Sequence, residues 1–179
     1  QTCALPISLD AIDRGIASHW HLGGQVCVHH RGQVVLDIAR GQNVSGSPLT
    51  TSHLMNWFSS GKPITAIAIA MLWERGKLDL DDPVVKFIPQ FASNNKDRIT
   101  IRHLLTHTAG FRLVDTGWPV ATWDEMIDAL CKCKIEPRWE PGKKAGYHAL
   151  TTWFVLGEII RRIDGRMPDG FVRDEIFEP

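Results

Sequence analysis

The sequence lacks the marks of several protein classes. No apolar run approaches the roughly 20 residues that a membrane-spanning helix needs. The longest, Pro63 to Trp73, stops at Glu74-Arg75. There is no excess of either charge, since 20 Lys and Arg balance 20 Asp and Glu. Nucleic acids and anionic membranes are held by clustered cations, so neither is expected as a partner. Cysteine is scarce: Cys3, Cys27, Cys131 and Cys133. Cys131 and Cys133 form a C-x-C pair with no second pair and no matched histidines, which is not zinc spacing. The four make no convincing disulfide framework either, and read as small apolar residues of a reduced protein. No metal and no cofactor is expected. No signal peptide is visible, which leans toward a cytoplasmic location. There is no internal repeat, no low-complexity linker, and one tyrosine, Tyr147.

What is present suits one globular domain, or most of one. Over 179 residues, 44% are hydrophobic, enough for a core. Ile12, Ile16 and Trp20 share a helical face from Ser8 to about Trp20. Gln25–His30 and Gln33–Ala39 alternate around Arg31-Gly32, a β-hairpin signal. Gly41 to Pro48 is a polar loop. From about Ser60 to Arg75 a helix is apolar nearly all round, which predicts a central, buried one. Pro63 suits its first turn and Gly76 its end. Asp79 to Pro83 reads as a turn. Thr100 can cap a helix carrying Ile101, Leu104 and Leu105, closed by Gly110. Thr122 and Glu125 form a capping-box pattern before Met126, Ile127 and Leu130. Pro141-Gly142 is a turn, Leu150 to Ile163 a helix stopped by Gly165, and Phe171, Val172 and Ile176 mark a last short helix. A β-hairpin therefore leads into a mostly helical body.

Ser59-Ser60-Gly61-Lys62 is an S-x-x-K tetrapeptide at the mouth of the most apolar helix. Residues three apart lie on one helical face. The free N–H groups and positive dipole end of a helix favour negative charge near its start. A serine hydroxyl is a poor nucleophile until a base takes its proton, and Lys62 can do that only as the neutral amine. These four residues alone fit equally a serine that caps the helix and a solvated lysine.

The surroundings change that weighting. Ser59 to Val84, including Lys62-Pro63-Ile64-Thr65-Ala66 and Glu74-Arg75-Gly76-Lys77-Leu78-Asp79-Leu80-Asp81-Asp82-Pro83, resembles the serine β-lactamase-like family. That family includes class C β-lactamases, esterases of the same fold and D-alanyl-D-alanine peptidases. The resemblance continues in order at Ile99 to Gly110, at Pro141-Gly142, at Gly146-Tyr147-His148-Ala149 and at Gly157-Glu158-Ile159-Ile160. The hairpin from Gly24 to Gly41 fits the family's opening strands, so the likeness runs from about Ser8 onward. It implies an α+β fold of the β-lactamase/transpeptidase type and a serine hydrolase activity. Ser59 would be acylated, Lys62 would help deprotonate it, and Tyr147 would share the proton transfer and activate the deacylating water. A tyrosine serves as a base near neutral pH only if nearby cations stabilise its phenolate.

Two departures matter. The family's asparagine two residues after the tyrosine is Ala149 here, which moves the expected substrate from β-lactams toward small esters. His148, between them, is a candidate substrate-pocket residue, with a filler role as the alternative. The family's third motif, a K-T-G or H-x-G triplet on a β-strand, is absent downstream of Tyr147. That strand supplies one of two oxyanion N–H donors, the other being Ser59 N–H, and losing such a donor costs on the order of a hundredfold in rate. The family pattern continues beyond Ile176-Phe177-Glu178-Pro179. The expectation is an N-terminal fragment, residues 8–179 of a partial domain without most of its sheet, and nearly idle by itself. Cys3-Ala4-Leu5-Pro6-Ile7 matches what a common sequencing-adapter end would encode, so residues 1–7 are expected to be non-native.

Other residues were weighed. The resemblance makes His107 structural, holding a loop beside the site. Asp79, Asp81 and Asp82 lack the ligand number and spacing of a calcium loop and read as a capped turn. Trp118, Trp123 and Trp139 fall in or near loops, and Trp118 is the candidate pocket residue among them. The favoured activity is a carboxylesterase acting through an acyl-enzyme on Ser59. The alternatives are a β-lactamase or D-alanyl-D-alanine carboxypeptidase and, of another class, a non-catalytic ligand-binding member of the fold. The partner is thus a small-molecule ester, amide or β-lactam; oligomeric state is open.

Overall fold

A computed structural model describes residues 4–179, with side chains from Pro6. Cys3 and the first part of the segment expected to be adapter-derived lie outside the described residues. The chain forms two compact units, residues 1–56 and 57–179.

The first unit is a helix and a hairpin. Helix α1 spans Ala4–Ala17, starting earlier than its pattern predicts. Pro6 lies in its first turn, where a missing N–H is harmless. Ser18-His19 ends it, with His19 at φ +58, so Trp20 falls beyond the helix and is exposed. Strands β1 (Gly23–His30) and β2 (Gln33–Gly41) pair antiparallel around Arg31-Gly32, with Val26 opposite Ile38 and Val28 opposite Leu36. Ile12 and Ile16 of α1 approach the hairpin at Gly24 and Gly41. Gly41 has φ +79, and a Cβ there would lie 2.2 Å from the Leu22 carbonyl oxygen. No other residue fits that close approach. Gln25 Nε2 donates to the carbonyls of Thr50 and His53, at 2.7 and 2.8 Å, and ties down the segment that follows.

The second unit is helical. It contains α2 (Lys62–Glu74), α3 (Ile101–Leu105), α4 (Trp123–Lys132), α5 (Thr151–Asp164) and α6 (Pro168–Val172). The caps follow the sequence: Thr100 opens α3, Thr122 and Glu125 box α4, and Gly165 closes α5 in the left-handed region. The three aspartates of 79–82 are used within the turn. Asp82 accepts from Asp79 N–H, Asp79 from Asp81 N–H, and Asp81 pairs with Arg102.

The core gathers around α5. Its Val155, Leu156, Ile159 and Ile160 pack with Ala68, Ile69 and Leu72 of α2, Leu104 of α3, Leu130 of α4, and Phe91, Phe111 and Phe171. Helix α2 is not buried all round as its composition predicts. Ile67 and Trp73 are 46% and 50% exposed, because α5 and α6 cover one side of the helix only. Apolar content on every face says that burial is possible, not that each face has a neighbour.

Two charged groups sit inside this unit. Glu158 of α5 is fully buried. Its carboxylate accepts charge-assisted bonds from Arg161 Nε and Arg162 Nε, both at 2.7 Å, and a bond from Trp123 Nε1 at 2.8 Å. Lys96 is also fully buried. Its ammonium donates to the carbonyls of Ser93 (3.0 Å), Cys131 (2.9 Å) and Cys133, closing the C-terminal end of α4, where unpaired carbonyls and the negative dipole end collect. Cys131 and Cys133 flank it as free thiols, and burial pushes both thiols' pKa values up. Lys96→Met should strip those carbonyls of their donors and destabilise the chain by about 3 kcal/mol, lowering the melting temperature by about 10 °C. An unchanged thermal melt would show that water satisfies them equally well.

Candidate active site

The chain enters α2 through a 3-10 turn, Phe58–Gly61. Phe58 has φ +43, an uncommon conformation for a bulky residue, immediately before Ser59. The serine does not cap the helix. No side-chain cap bond is formed there, and Gly61 occupies the N-cap. Its hydroxyl instead faces Lys62, the first residue of α2, whose Nζ donates to Ser59 Oγ at 2.9 Å.

Tyr147 arrives from the loop before α5, 88 residues away in sequence, and its hydroxyl donates to Ser59 Oγ at 2.6 Å. Lys62 Nζ lies 5.0 Å from the centre of the Tyr147 ring and 5.6 Å from that of Trp153. Hydrogen bonding with Lys62, and then with Ser59, holds the Tyr147 phenol pKa below its ordinary value. Two donors thus converge on one oxygen, Ser59 Oγ. The site is open: Ser59 is exposed and Tyr147 is 55% exposed.

The other expected site residues are placed differently. His148 is fully buried and is not among the residues lining the cavity beside Ser59. Its Nε2 accepts the N–H groups of Gly110 and Phe111, at 3.0 and 3.3 Å. Gly110 needs its φ of +87 here, because a Cβ would lie 2.2 Å from the Trp139 ring. Trp118 is half-exposed, next to a cis Pro119, and is not among the residues lining that cavity either. The cavity beside the triad, about 290 Å³, is lined instead by Phe58, Lys62, Ala149, Leu150, Trp153 and Phe154, with Trp123 farther in. Sequence reasoning passed over Leu150 and Trp153. Their signal was their place in the first turn of the helix that follows Tyr147.

A family model described as beta-lactamase matches residues 10–179. The chain belongs to the beta-lactamase family. Among relatives, it is 30% identical over 162 residues to "Esterase/beta-lactamase LipL" of Mycobacterium tuberculosis, covering 88% of this chain and 37% of that protein. It is 31% identical over 166 residues to "Penicillin-binding protein 4*" of Bacillus subtilis, covering 88% and 34%. Among solved structures, a penicillin-binding protein homologue from Caulobacter crescentus superposes with a TM-score of 0.79 at 31% identity, over 95% of this chain and 47% of that one. The fold is therefore of the β-lactamase/transpeptidase type. The chain spans about a third of the length of these curated relatives and about half of that solved one.

Proposed function

We propose that this beta-lactamase-family chain carries the nucleophilic half of a serine carboxylesterase for small esters. The observation that supports this reading best is the convergence of Lys62 Nζ and the Tyr147 hydroxyl on Ser59 Oγ. Ser59 Oγ attacks the ester carbonyl carbon while its proton passes to the Lys62–Tyr147 pair. The tetrahedral adduct collapses, the alcohol leaves with that proton, and acyl-Ser59 remains. The same pair then takes a proton from water, the resulting hydroxide displaces the acyl group as a carboxylic acid, and the proton returns to Ser59. The lowered Tyr147 phenol pKa suits general-base work near neutral pH.

Ester preference rests on Ala149. Its methyl borders an apolar cavity and offers no amide to a lactam or peptide side chain. The cavity takes the acyl group in this reading. Leu150→Trp should narrow it and lower hydrolysis of hexanoate relative to acetate esters by about tenfold. An unchanged ratio would place the acyl group elsewhere.

The overall test is covalent labelling of the full-length gene product with a fluorophosphonate and, separately, with a fluorescent penicillin. Label on the wild type and none on Ser59→Ala is expected, with esters turned over faster than lactams. Equal labelling of the two proteins would sink the reading.

A further inference from the structure

Tyr147 is half-exposed, yet the residues on both sides of it are held by one residue. The Gly146 N–H donates to the His107 carbonyl oxygen at 3.0 Å. The His148 N–H donates to His107 Nδ1, also at 3.0 Å. The His107 ring lies 4.9 Å from the Tyr147 ring and 5.7 Å from that of Trp153. His107 itself has φ +59, in the left-handed region that glycine enters freely and that asparagine, aspartate and histidine enter more readily than other residues. An Nδ1 that accepts a backbone N–H is unprotonated, which leaves the ring proton on Nε2.

We propose that His107 positions Tyr147: it accepts the N–H groups of the residues on either side of Tyr147 and so aims the phenol at Ser59. The proposal rests on the reading of Tyr147 as part of the proton path. It goes beyond a loop-holding role, because of the two acceptors it assigns the side chain's work to Nδ1 alone. Four side chains face the His107 ring: Lys62 from α2, Tyr147 and His148 from the loop, and Trp153 from α5. Burial, then the Lys62 charge, pushes the His107 pKa down, in the direction that keeps Nδ1 free to accept. Packing alone would make the ring matter. The proposal makes the acceptor matter.

The two are separable. His107→Asn keeps an acceptor at the δ position and tolerates positive φ, but loses the ring. His107→Phe keeps a ring and loses the acceptor. Tyr147 is the only tyrosine in the 179-residue chain, so a 13C-labelled tyrosine ring gives one signal whose pH titration reports its phenol directly. The wild type and His107→Asn are expected to titrate together, below the ordinary phenol value of about 10. His107→Phe is expected to shift upward toward that value, as the phenol leaves Lys62 and Ser59. A scalar coupling between the His148 amide nitrogen and His107 Nδ1 is expected in the wild type.

Absence of that coupling overturns the proposal, and so does a His107→Phe titration that matches the wild type. If His107→Phe does not fold, an asparagine variant titrating at the ordinary value overturns it, and one titrating with the wild type upholds it. None of these readouts needs turnover. Failure of the esterase reading, seen as equal labelling of Ser59→Ala, is a separate result.

Discussion

Ser59→Ala is expected to lower ester hydrolysis by the full-length gene product by a factor on the order of 10⁴ or more. The argument is one of connectivity. Lys62 and Tyr147 each make their contact to the same oxygen. Removing it deletes the proposed nucleophile and strands both proposed proton carriers, and residues that act as a unit lose nearly all of their effect when one is removed. The fold should be unaffected. Ser59 is exposed, caps no helix and packs in no core, so surface-like stability changes of at most about 0.5 kcal/mol are expected. Steady-state hydrolysis of a chromogenic ester, with a thermal melt on the same samples, checks both halves. Residual activity within tenfold of the wild type would assign the chemistry to another nucleophile.

Acidification from pH 7 to 4 is expected to cost the chain about 3 kcal/mol through His148 alone. Its ring is fully buried and its Nε2 accepts two backbone N–H groups, an arrangement that requires the neutral form. Burial, first among its causes, pushes the His148 pKa down to about 4, against about 6.5 for an exposed imidazole. Between those values the unfolded chain holds a proton that the folded chain refuses. Stability is therefore intact above about pH 6.5 and falls with falling pH until about pH 4. His103 and His107 are shifted in the same direction, each by burial first, and add to the slope. Glu136, shifted downward by its hydrogen bonds to Arg112, adds a further loss at the acid end of the range. Urea unfolding at several pH values measures the slope. His148→Gln, which can place an oxygen near the Nε2 position without titrating, should flatten it. A slope that survives this substitution would assign the acid sensitivity to other groups.

The local part of the architecture was legible in residue order. Thr100 and Thr122 cap helices because a hydroxyl reaches an N–H three residues on, whatever lies elsewhere. The hairpin turns at Arg31-Gly32 because both residues take positive φ. Ser59 and Lys62 meet because three residues of helical turn separate them. Less legible were features set by which surfaces meet. Helix α2 looked buried on all sides, yet only the side under α5 and α6 is covered. His148, beside Tyr147 in sequence, looked like a pocket residue, but successive side chains in an irregular loop point to different surroundings. Tyr147 turns out toward Ser59 and His148 turns in toward Gly110.

By itself the sequence determined the elements, their caps and the Ser59–Lys62 pair, because these depend on contacts within about four residues along the chain. The family motifs named Tyr147 as the third member. Only the tertiary structure decided that its hydroxyl lies 2.6 Å from Ser59, that His107 accepts the N–H groups of both its neighbouring residues, and that Leu150 and Trp153, not His148 or Trp118, border the adjoining cavity. The physical reason is that those placements follow from how α5 packs on α2 around a shared core. That packing depends on shape and burial summed over distant residues, and no spacing along the chain encodes it.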